Sequence, residues 1–263
     1  MQDYIIQILN FLYNFTSNHG VSIILLTLAI RAVFWSLNTK QYESMSAMRK
    51  IQPKLKEIQQ KHKSNPQLLQ KEMMDLYKTH KVNPFSGCLP MLIQLPVLFI
   101  LYAALNSTQF VELDPKGKGF LWIKDISFVE TVNFNKFQQE QGGRSDARRE
   151  ALSALIEKDT KRYSGLNTAV SIPLGGQAAG IPLLALLVAL TTFYSQKTMD
   201  IDPEQKKMMA FMPIMMLIIC LNLSAGISIY LAVSNLLMAL QQAYLKKKSA
   251  SKPNTIDVKP LPQ

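Results

Sequence analysis

The most constraining feature of this chain is a set of long apolar blocks that carry almost no charge. Val21 to Leu37 contains one charged residue, Arg31, and none occurs from Val82 to Val111 or from Met208 to Leu245. Apolar blocks of this length are typical of membrane-spanning helices, which need about 20 residues to cross a ~30 Å hydrocarbon core. The sequence therefore predicts an all-α membrane protein with several spans.

Five transmembrane helices are expected, because the turn residues Asn222-Leu-Ser-Ala-Gly226 divide the last block into two. The predicted organisation is an interfacial amphipathic helix (1–19), span one (20–40), a charged cytoplasmic helical hairpin (41–81), span two (82–106), an extracytoplasmic segment (107–180), span three (181–197), a cytoplasmic loop (198–207), span four (208–223), span five (226–245) and a basic cytoplasmic tail (246–263). Span four is short, about 22 Å at helical rise, so local thinning of the bilayer is expected around it.

The distribution of Lys and Arg predicts the topology. Residues 40–81 hold ten Lys or Arg against four Asp or Glu, and the tail after Leu245 is also basic, whereas residues 106–180 are nearly balanced. Because cytoplasmic loops carry the excess of positive charge, the N-terminus is expected outside and the C-terminus in the cytoplasm. No transit peptide is visible, which favours a bacterial plasma membrane.

Within the hairpin, apolar residues recur every three or four positions and predict two amphipathic helices, separated by Ser64-Asn65-Pro66. A basic hairpin beside a membrane could bind ribosomal RNA, anionic headgroups or an emerging apolar peptide. Alternatively, its apolar stripe only packs the two arms together. The basic residues considered for binding are Arg49, Lys50, Lys54, Lys56, Lys61 and Lys63.

Arg31 requires hydration or a partner, since an arginine near a helix centre costs about 2.5–3.5 kcal/mol on insertion scales. No Asp or Glu occurs in the predicted spans. The polar residues that could line a shared cavity with Arg31 are Thr27, Gln94, Thr191, Ser195, Tyr230, Ser234 and Asn235. Ordinary hydrogen bonding between helices is the alternative for each of them, and for Arg31 the alternative is snorkelling to the cytoplasmic surface.

Enzymatic chemistry is not indicated. His19, His62 and His80 are scattered outside the predicted spans, and no metalloprotease, nucleophile-elbow or phosphate-loop motif occurs. We therefore expect no catalytic residues, no metal, no cofactor and no small-molecule substrate.

Several motifs resemble the YidC/Oxa/Albino family of membrane protein insertases, and they occur in family order. They are Leu28-Ala-Ile-Arg31, Lys40-Gln-Tyr-Glu-Ser-Met45, Gln52-Pro-Lys54, Lys71-Glu-Met-Met-Asp-Leu-Tyr77, Val82-Asn-Pro-Phe-Ser-Gly-Cys-Leu-Pro-Met-Leu-Ile-Gln-Leu-Pro96, Leu121-Trp-Ile123 with Asp125, Met212-Pro213 and Ser224-Ala-Gly-Ile-Ser-Ile-Tyr230 through Val233-Ser-Asn-Leu236 to Gln241-Gln242.

The resemblance implies a five-helix core around a hydrophilic groove that is open to the cytoplasm and to lipid but closed outside. Arg31 is expected to face this groove, Tyr230 matches a position that contacts substrate, and Leu95 and Leu98 stand at two further such positions. Residues 128–180 are longer than the corresponding family connection, so nothing is transferred to them.

The function implied is insertion and folding of integral membrane proteins, alone or beside a Sec translocon. The expected partners are nascent membrane proteins, the ribosome and the lipid bilayer. A small-anion transporter or channel with Arg31 as its selectivity charge, and a non-catalytic assembly scaffold, are the alternatives.

Overall fold

A computed structural model describes residues 2–80, 82, 89–139, 147–174, 177–198 and 209–250. Within these ranges the elements are α1 (Gln2–Thr16), α2 (His19–Val33), α3 (Trp35–Lys61), α4 (Pro66–Thr79), α5 (Leu89–Leu105), α6 (Thr108–Val111), a 3₁₀ helix (Pro115–Lys118), α7 (Phe134–Gln139), α8 (Ala147–Lys158), β1 (Ser171–Leu174), β2 (Gln177–Gly180), α9 (Leu183–Thr198), α10 (Met212–Cys220) and α11 (Ala225–Ala250).

The first two helices meet at a sharp bend of 116°. Leu9 of α1 is fully buried, whereas Phe11 and Phe15 are 61% and 75% exposed, so one apolar face packs and another remains open. Asn18 begins α2: its Oδ1 accepts the Val21 N–H at 3.2 Å, as helix N-caps do.

The boundary predicted at residue 40 between span one and the hairpin is not marked by a loop. The chain breaks regular helix only at Phe34, and α3 then runs for 27 residues to Lys61. No Gly or Pro occurs between Trp35 and Gln52, so nothing in the sequence ends the helix there.

The hairpin arms, α3 and α4, pack through an apolar cluster of Ile51, Leu55, Ile58, Leu76 and Val82, with Met48 and Met73 at its edge. Asn65 caps α4, because its Oδ1 accepts the Leu68 N–H at 3.2 Å. The apolar stripe of the hairpin therefore packs the two arms together, which is the second of the two interpretations of this stripe.

The main core joins α1, α2, α5, α9, α10 and α11. Its fully buried members include Leu9, Ile23, Leu105, Val188 and Ile227. Helix α11 continues to Ala250, beyond the predicted end of span five at 245, because Lys246 to Lys248 favour the negative end of a helix dipole.

By length and composition, α11 can cross a membrane alone over Ala225–Lys248. Helices α1 and α2 meet the same requirements only when taken together, and the apolar helices Gln94–Leu105 and Leu183–Lys197 are shorter. These statements concern the described ranges. The predicted loop 198–207 lies almost entirely outside them, as do residues 83–88 of span two and residues 251–263 of the tail.

The described residues between 106 and 182 form a folded unit that we call the cap. Its apolar cluster contains Val111, Phe128, Phe134, Leu152, Leu155, Ile156 and Tyr163. Helix α8 contributes Leu152, Leu155 and Ile156 to this cluster.

The cap also contains the one departure from an all-helical fold among the described residues, an antiparallel β1–β2 hairpin in which Ser171 pairs with Gly180. Gly175-Gly176 between two short runs is a hairpin signal in the sequence. Each strand is only four residues long, too short to show as an apolar block in the sequence.

Candidate functional site

Arg31 lies two residues before the end of α2 and is enclosed by neighbouring helices. One of its guanidinium nitrogens, Nη2, donates to Ser234 Oγ at 2.5 Å and to Gln94 Oε1 at 3.4 Å. Both acceptors are neutral. Within the described ranges no carboxylate pairs with Arg31.

Gln94 connects the remaining polar groups. Its Nε2 donates to the Tyr230 hydroxyl at 2.7 Å and lies 3.4 Å from Ser234 Oγ. Tyr230 and Ser234 occupy successive turns of one face of α11, since they are four residues apart, and both are at most 2% exposed. Arg31, Gln94, Tyr230 and Ser234 are called the polar cluster below.

A small cavity borders the polar cluster. It leaves about 20 Å³ for the centres of water-sized molecules, which is room for about one water. Its lining residues are Thr27, Ile30, Arg31, Phe34, Asn38, Gln94, Val97, Tyr230 and Ser234.

Thr27 lines the cavity but does not bond to Arg31. Its hydroxyl donates to the Ile23 carbonyl of the preceding turn at 2.6 Å, and the residue is 1% exposed. A threonine bonded in this way satisfies its hydroxyl within its own helix, so it contributes shape more than hydrogen-bonding capacity.

Five of the candidate residues lie outside the cavity lining: Leu95, Leu98, Thr191, Ser195 and Asn235. Asn235 turns toward α9, where its Nδ2 donates to Thr192 Oγ1 at 2.8 Å. Leu98 packs against the main core, and Leu95 is half-buried on α5. Thr191 donates to the backbone of its own helix, at Leu187.

The basic residues of the hairpin lie on α3 and in the turn that follows it. Lys56, Lys61 and Lys63 are exposed, whereas Lys50 and Lys54 are half-buried. Arg49 is on α3. The two arms also approach each other through His62 Nε2, which lies 3.0 Å from Glu72 Oε2.

Sequence reasoning missed Asn38 and Gln241. Asn38, seven residues after Arg31 in the sequence, lines the cavity. Its Nδ2 donates to Gln241 Oε1 at 3.4 Å. Gln241 also donates to the Trp35 carbonyl at 3.1 Å, beside the break in the helix. Each is two helical turns from a predicted site residue on the same face, and that spacing could have identified both.

The cap contains a second buried polar network. Asp125 accepts the Tyr163 hydroxyl at 2.6 Å and the Ser127 N–H at 2.7 Å, and it is fully buried. Burial raises the pKa of Tyr163, and the adjacent Asp125 raises that pKa further. Asn167 ties the same loop together by donating to the carbonyls of Asp125 and Val129.

Glu130 and Lys118 are the other buried charges of the cap. Glu130 accepts the Trp122 indole N–H at 2.8 Å and the Leu184 N–H at 2.9 Å. It therefore acts as an N-terminal acceptor for helix α9, although it is distant from α9 in the sequence. Burial raises the pKa of Glu130. Lys118 donates to the Val111 carbonyl, and burial lowers its pKa to about 8.

The cap and the hairpin lie at opposite ends of α2 and α11. Asn18, at the start of α2, donates to the Gly119 carbonyl of the cap at 2.7 Å. The start of α11 is bonded to the cap as well, through the Ala225 N–H, which donates to the Phe128 carbonyl at 2.8 Å. The polar cluster therefore lies between the cap and the hairpin.

Comparison with known proteins identifies the fold and the family. The protein-family model for "60Kd inner membrane protein" matches residues 11–252. A solved structure described as "Active YidC insertase crystal structure with the first transmembrane domain resolved" superposes with a TM-score of 0.61 at 21% identity, over 92% of this chain and 45% of that one.

Curated relatives named "Membrane protein insertase YidC" include those of Syntrophobacter fumaroxidans, with 34% identity, and Leptospira interrogans, with 35%. These matches cover 92% and 94% of this chain but only 37% and 35% of the relatives' own length. The chain thus spans little more than a third of the curated relatives that it matches. Because the family model matches nearly the whole sequence, the chain belongs to the 60Kd inner membrane protein family.

Proposed function

We propose that this chain inserts integral membrane proteins into the lipid bilayer and helps them to fold, by admitting a polar part of each client to the cavity beside Arg31. The observation that carries the proposal is the state of Arg31, an enclosed cation whose acceptors, Ser234 and Gln94, are both neutral. A client carboxylate would be a stronger acceptor than either. The names of the relatives at 34% and 35% identity support the same activity.

In the proposed topology five helices cross the membrane: α2 with the start of α3, then α5, α9, α10 and α11. The cap lies outside, and the hairpin and the tail lie in the cytoplasm of a bacterial cell, in keeping with the excess of Lys and Arg in 40–81. Helix α10 has nine residues and rises only about 14 Å, less than half of the ~30 Å hydrocarbon core. A helix this short thins the bilayer locally.

The driving force comes from the client. Each Leu, Ile, Phe or Val gains about 0.3–0.6 kcal/mol at the centre of a membrane helix, so a segment of ordinary length supplies several kcal/mol. The obstacle is its polar flank, which must cross the apolar core. A polar cavity partway across shortens that apolar distance, and no nucleotide is consumed.

The expected partners follow from the surfaces at each end. Exposed Lys56, Lys61 and Lys63 at the tip of the hairpin favour an anionic partner such as ribosomal RNA or lipid headgroups. Nascent membrane proteins are the clients, and a Sec translocon is a further expected partner.

Reconstitution into liposomes tests the proposal. The substrate is a short single-span protein with an acidic outer tail, and its insertion is measured as protection of that tail from added protease. We expect Arg31→Ala to slow insertion about tenfold, equivalent to about 1.4 kcal/mol on the barrier. Arg31→Lys, which keeps the charge, should retain more activity, and a substrate with a neutral tail should respond little to either change.

The same vesicles separate the rival functions. An anion channel would conduct chloride through the wild-type protein, and a scaffold would insert no substrate at all. Insertion of the acidic-tail substrate at the wild-type rate by Arg31→Ala would show that the charge has no part in the activity.

A further inference from the structure

One turn of the cap holds an apolar side chain in a conformation that such a residue rarely adopts. Leu121 has a φ of 51°, and its side chain is 73% exposed. It lies at the tip of a two-residue turn, because Phe120 and Ile123 exchange backbone hydrogen bonds of 3.0 and 2.8 Å on either side of it. Glycine, asparagine and aspartate are the usual residues at such a position, since a β-carbon is strained at positive φ. An exposed leucine gains too little burial within the chain to offset that strain.

The start of α2 fixes one side of this turn. Asn18 Nδ2 donates to the Gly119 carbonyl at 2.7 Å. The Phe120 ring lies directly against Gly20, because a β-carbon placed on that glycine would come within 2.4 Å of the ring. Consecutive Cα atoms are 3.8 Å apart, so Leu121 lies within about 8 Å of Gly119. The turn is therefore level with the first residues of α2.

The start of α9 fixes the other side. Trp122, the second residue of the turn, donates its indole N–H to Glu130 Oε1 at 2.8 Å, and Glu130 Oε2 accepts the Leu184 N–H at 2.9 Å. Leu184 is the second residue of α9. In the proposed topology α2 and α9 both enter the membrane from outside, so their first residues mark its outer surface. Leu121 is thus tied to two markers of that surface.

Apolar exposure continues from the turn into the proposed membrane region. Helix α2 exposes Val21, Leu25 and Leu28, which are spaced four and three residues apart and form one stripe. The stripe begins one residue after Gly20, where the Phe120 ring packs. Such a stripe on a membrane helix faces lipid tails, which are as apolar as leucine. The surface beside the turn is therefore continuous with a surface that lipid covers.

We infer that Leu121 inserts into the outer leaflet of the bilayer and anchors the cap to its acyl chains. The half-buried indole of Trp122 beside it is a residue type enriched at membrane–water interfaces. Transfer of the Leu121 side chain from water to acyl chains offsets the strain of its backbone. Glycine would fit the turn better but has no side chain to insert. The inference rests on the proposed function for its topology, in which the cap lies outside.

The test measures the depth of Trp122 in the bilayer. The chain has two tryptophans, so Trp35→Phe leaves Trp122 as the single reporter. This parent chain is reconstituted in phosphatidylcholine vesicles whose acyl chains carry bromine either just below the headgroup or near the bilayer centre. Bromine quenches tryptophan fluorescence only at short range. We expect the shallow bromine to quench Trp122 more strongly than the deep bromine.

Substitutions of Leu121 show whether its side chain is the anchor. Leu121→Gly removes the side chain and relieves the turn, and we expect it to lower the quenching by shallow bromine about twofold, because one leucine supplies a modest share of partitioning free energy. Leu121→Met keeps an apolar side chain and should retain most of the quenching. Leu68→Gly is the matched control, since Leu68 is an exposed leucine of the hairpin, and it should leave the quenching unchanged.

Several outcomes would overturn the anchor. They are a parent chain that neither lipid quenches, stronger quenching by the deep bromine, equal quenching of Leu121→Gly and the parent, or an equal loss in Leu68→Gly. Quenching that appears only at a lower protein-to-lipid ratio would show that a second copy of the chain covers Leu121 instead of lipid. Folding is checked by circular dichroism, and Leu121→Asn replaces Leu121→Gly if the latter does not fold, since asparagine tolerates positive φ.

The same vesicles separate this inference from the proposed function. Shallow quenching of Trp122 in a chain that inserts no substrate would mean that the proposed function fails and the anchor stands. Insertion of the acidic-tail substrate by a chain whose Trp122 is not quenched gives the opposite result.

Discussion

The buried polar network of the cap and the polar cluster beside Arg31 are built differently. In the cap, the carboxylates of Asp125 and Glu130 each accept a backbone N–H together with a side-chain donor. In the cavity, side chains bond to one another: the hydrogen bonds that join Arg31, Gln94, Tyr230 and Ser234 run from side chain to side chain.

This difference in bonding suits the cap network to stabilising the fold and the polar cluster to binding a client. A group bonded to the backbone cannot change partners without unfolding a loop, so the cap network stabilises one conformation. Side chains that bond only to one another can exchange partners by rotating, and a client carboxylate could replace Ser234 or Gln94 at Arg31. The comparison predicts large effects on stability for substitutions in the cap and small effects for substitutions in the cavity.

The largest loss of stability is expected for Asp125→Ala. The change leaves the Tyr163 hydroxyl and the Ser127 N–H buried without an acceptor, and each unsatisfied group costs about 1–3 kcal/mol, so we expect a loss of about 2–5 kcal/mol. The measurement is the free energy of unfolding in detergent. Asp125→Asn keeps one acceptor oxygen and should lose less; equal stability of Asp125→Ala and the wild type would contradict the structural role of this network.

Lys118 should make stability depend on pH. Its pKa is about 8 in the folded protein, against an ordinary value of 10.5. Between these values the unfolded chain binds more protons than the folded protein, so stability rises with pH, by about 3 kcal/mol in total. Unfolding curves measured from pH 7 to 11 should show this rise in the wild type and a much flatter profile in Lys118→Met, whose side chain has similar length and no charge.

Glu130→Ala should lower the free energy of unfolding by a smaller amount, about 1–3 kcal/mol. The change removes the acceptor for the first turn of α9 and the acceptor of the Trp122 indole N–H. Thermal unfolding compares it with Glu130→Gln, which keeps an oxygen for one of the two donors and should fall between Glu130→Ala and the wild type. A Glu130→Gln variant less stable than Glu130→Ala would show that the carboxylate does not act as a helix cap.

The smallest effect on stability is expected for Ser234→Ala in the cavity, about 1 kcal/mol or less, since water can take the place of the hydroxyl at Arg31. The same unfolding assay applies, with Ser228→Ala as the control, a buried serine on α11 outside the cavity lining. A loss as large as that of Asp125→Ala would remove the distinction between the two networks.

Much of the architecture could be predicted because it follows from local pattern. Uncharged blocks indicated the apolar helices, and Asn65 with Pro66 indicated the start of α4. Polar groups in apolar helices need partners, which makes candidates of Arg31, Gln94, Tyr230 and Ser234. The structure brings these four together.

The remainder depends on which faces meet in three dimensions. Asn235 is as polar as Ser234, but one residue of helix turns it by about 100°, toward Thr192 instead of Arg31. The cap was the least predictable region, because its order comes from contacts between distant segments, such as Glu130 with Leu184. No periodic pattern in the sequence predicts a hydrogen bond between two such distant segments.

The bonds between the cap and the start of α11 also impose an order on the protein's own biogenesis. The carbonyls of Ile126 and Phe128 leave the ribosome long before the amides of Ala225 and Gly226 that they bind. Until α11 is synthesised, those carbonyls have no such partners, and neither Tyr230 nor Ser234 is present to face Arg31. The compartment around Arg31 is therefore completed only when α11 has been made, and a chain stopped before Ala225 would be a membrane protein without a cavity.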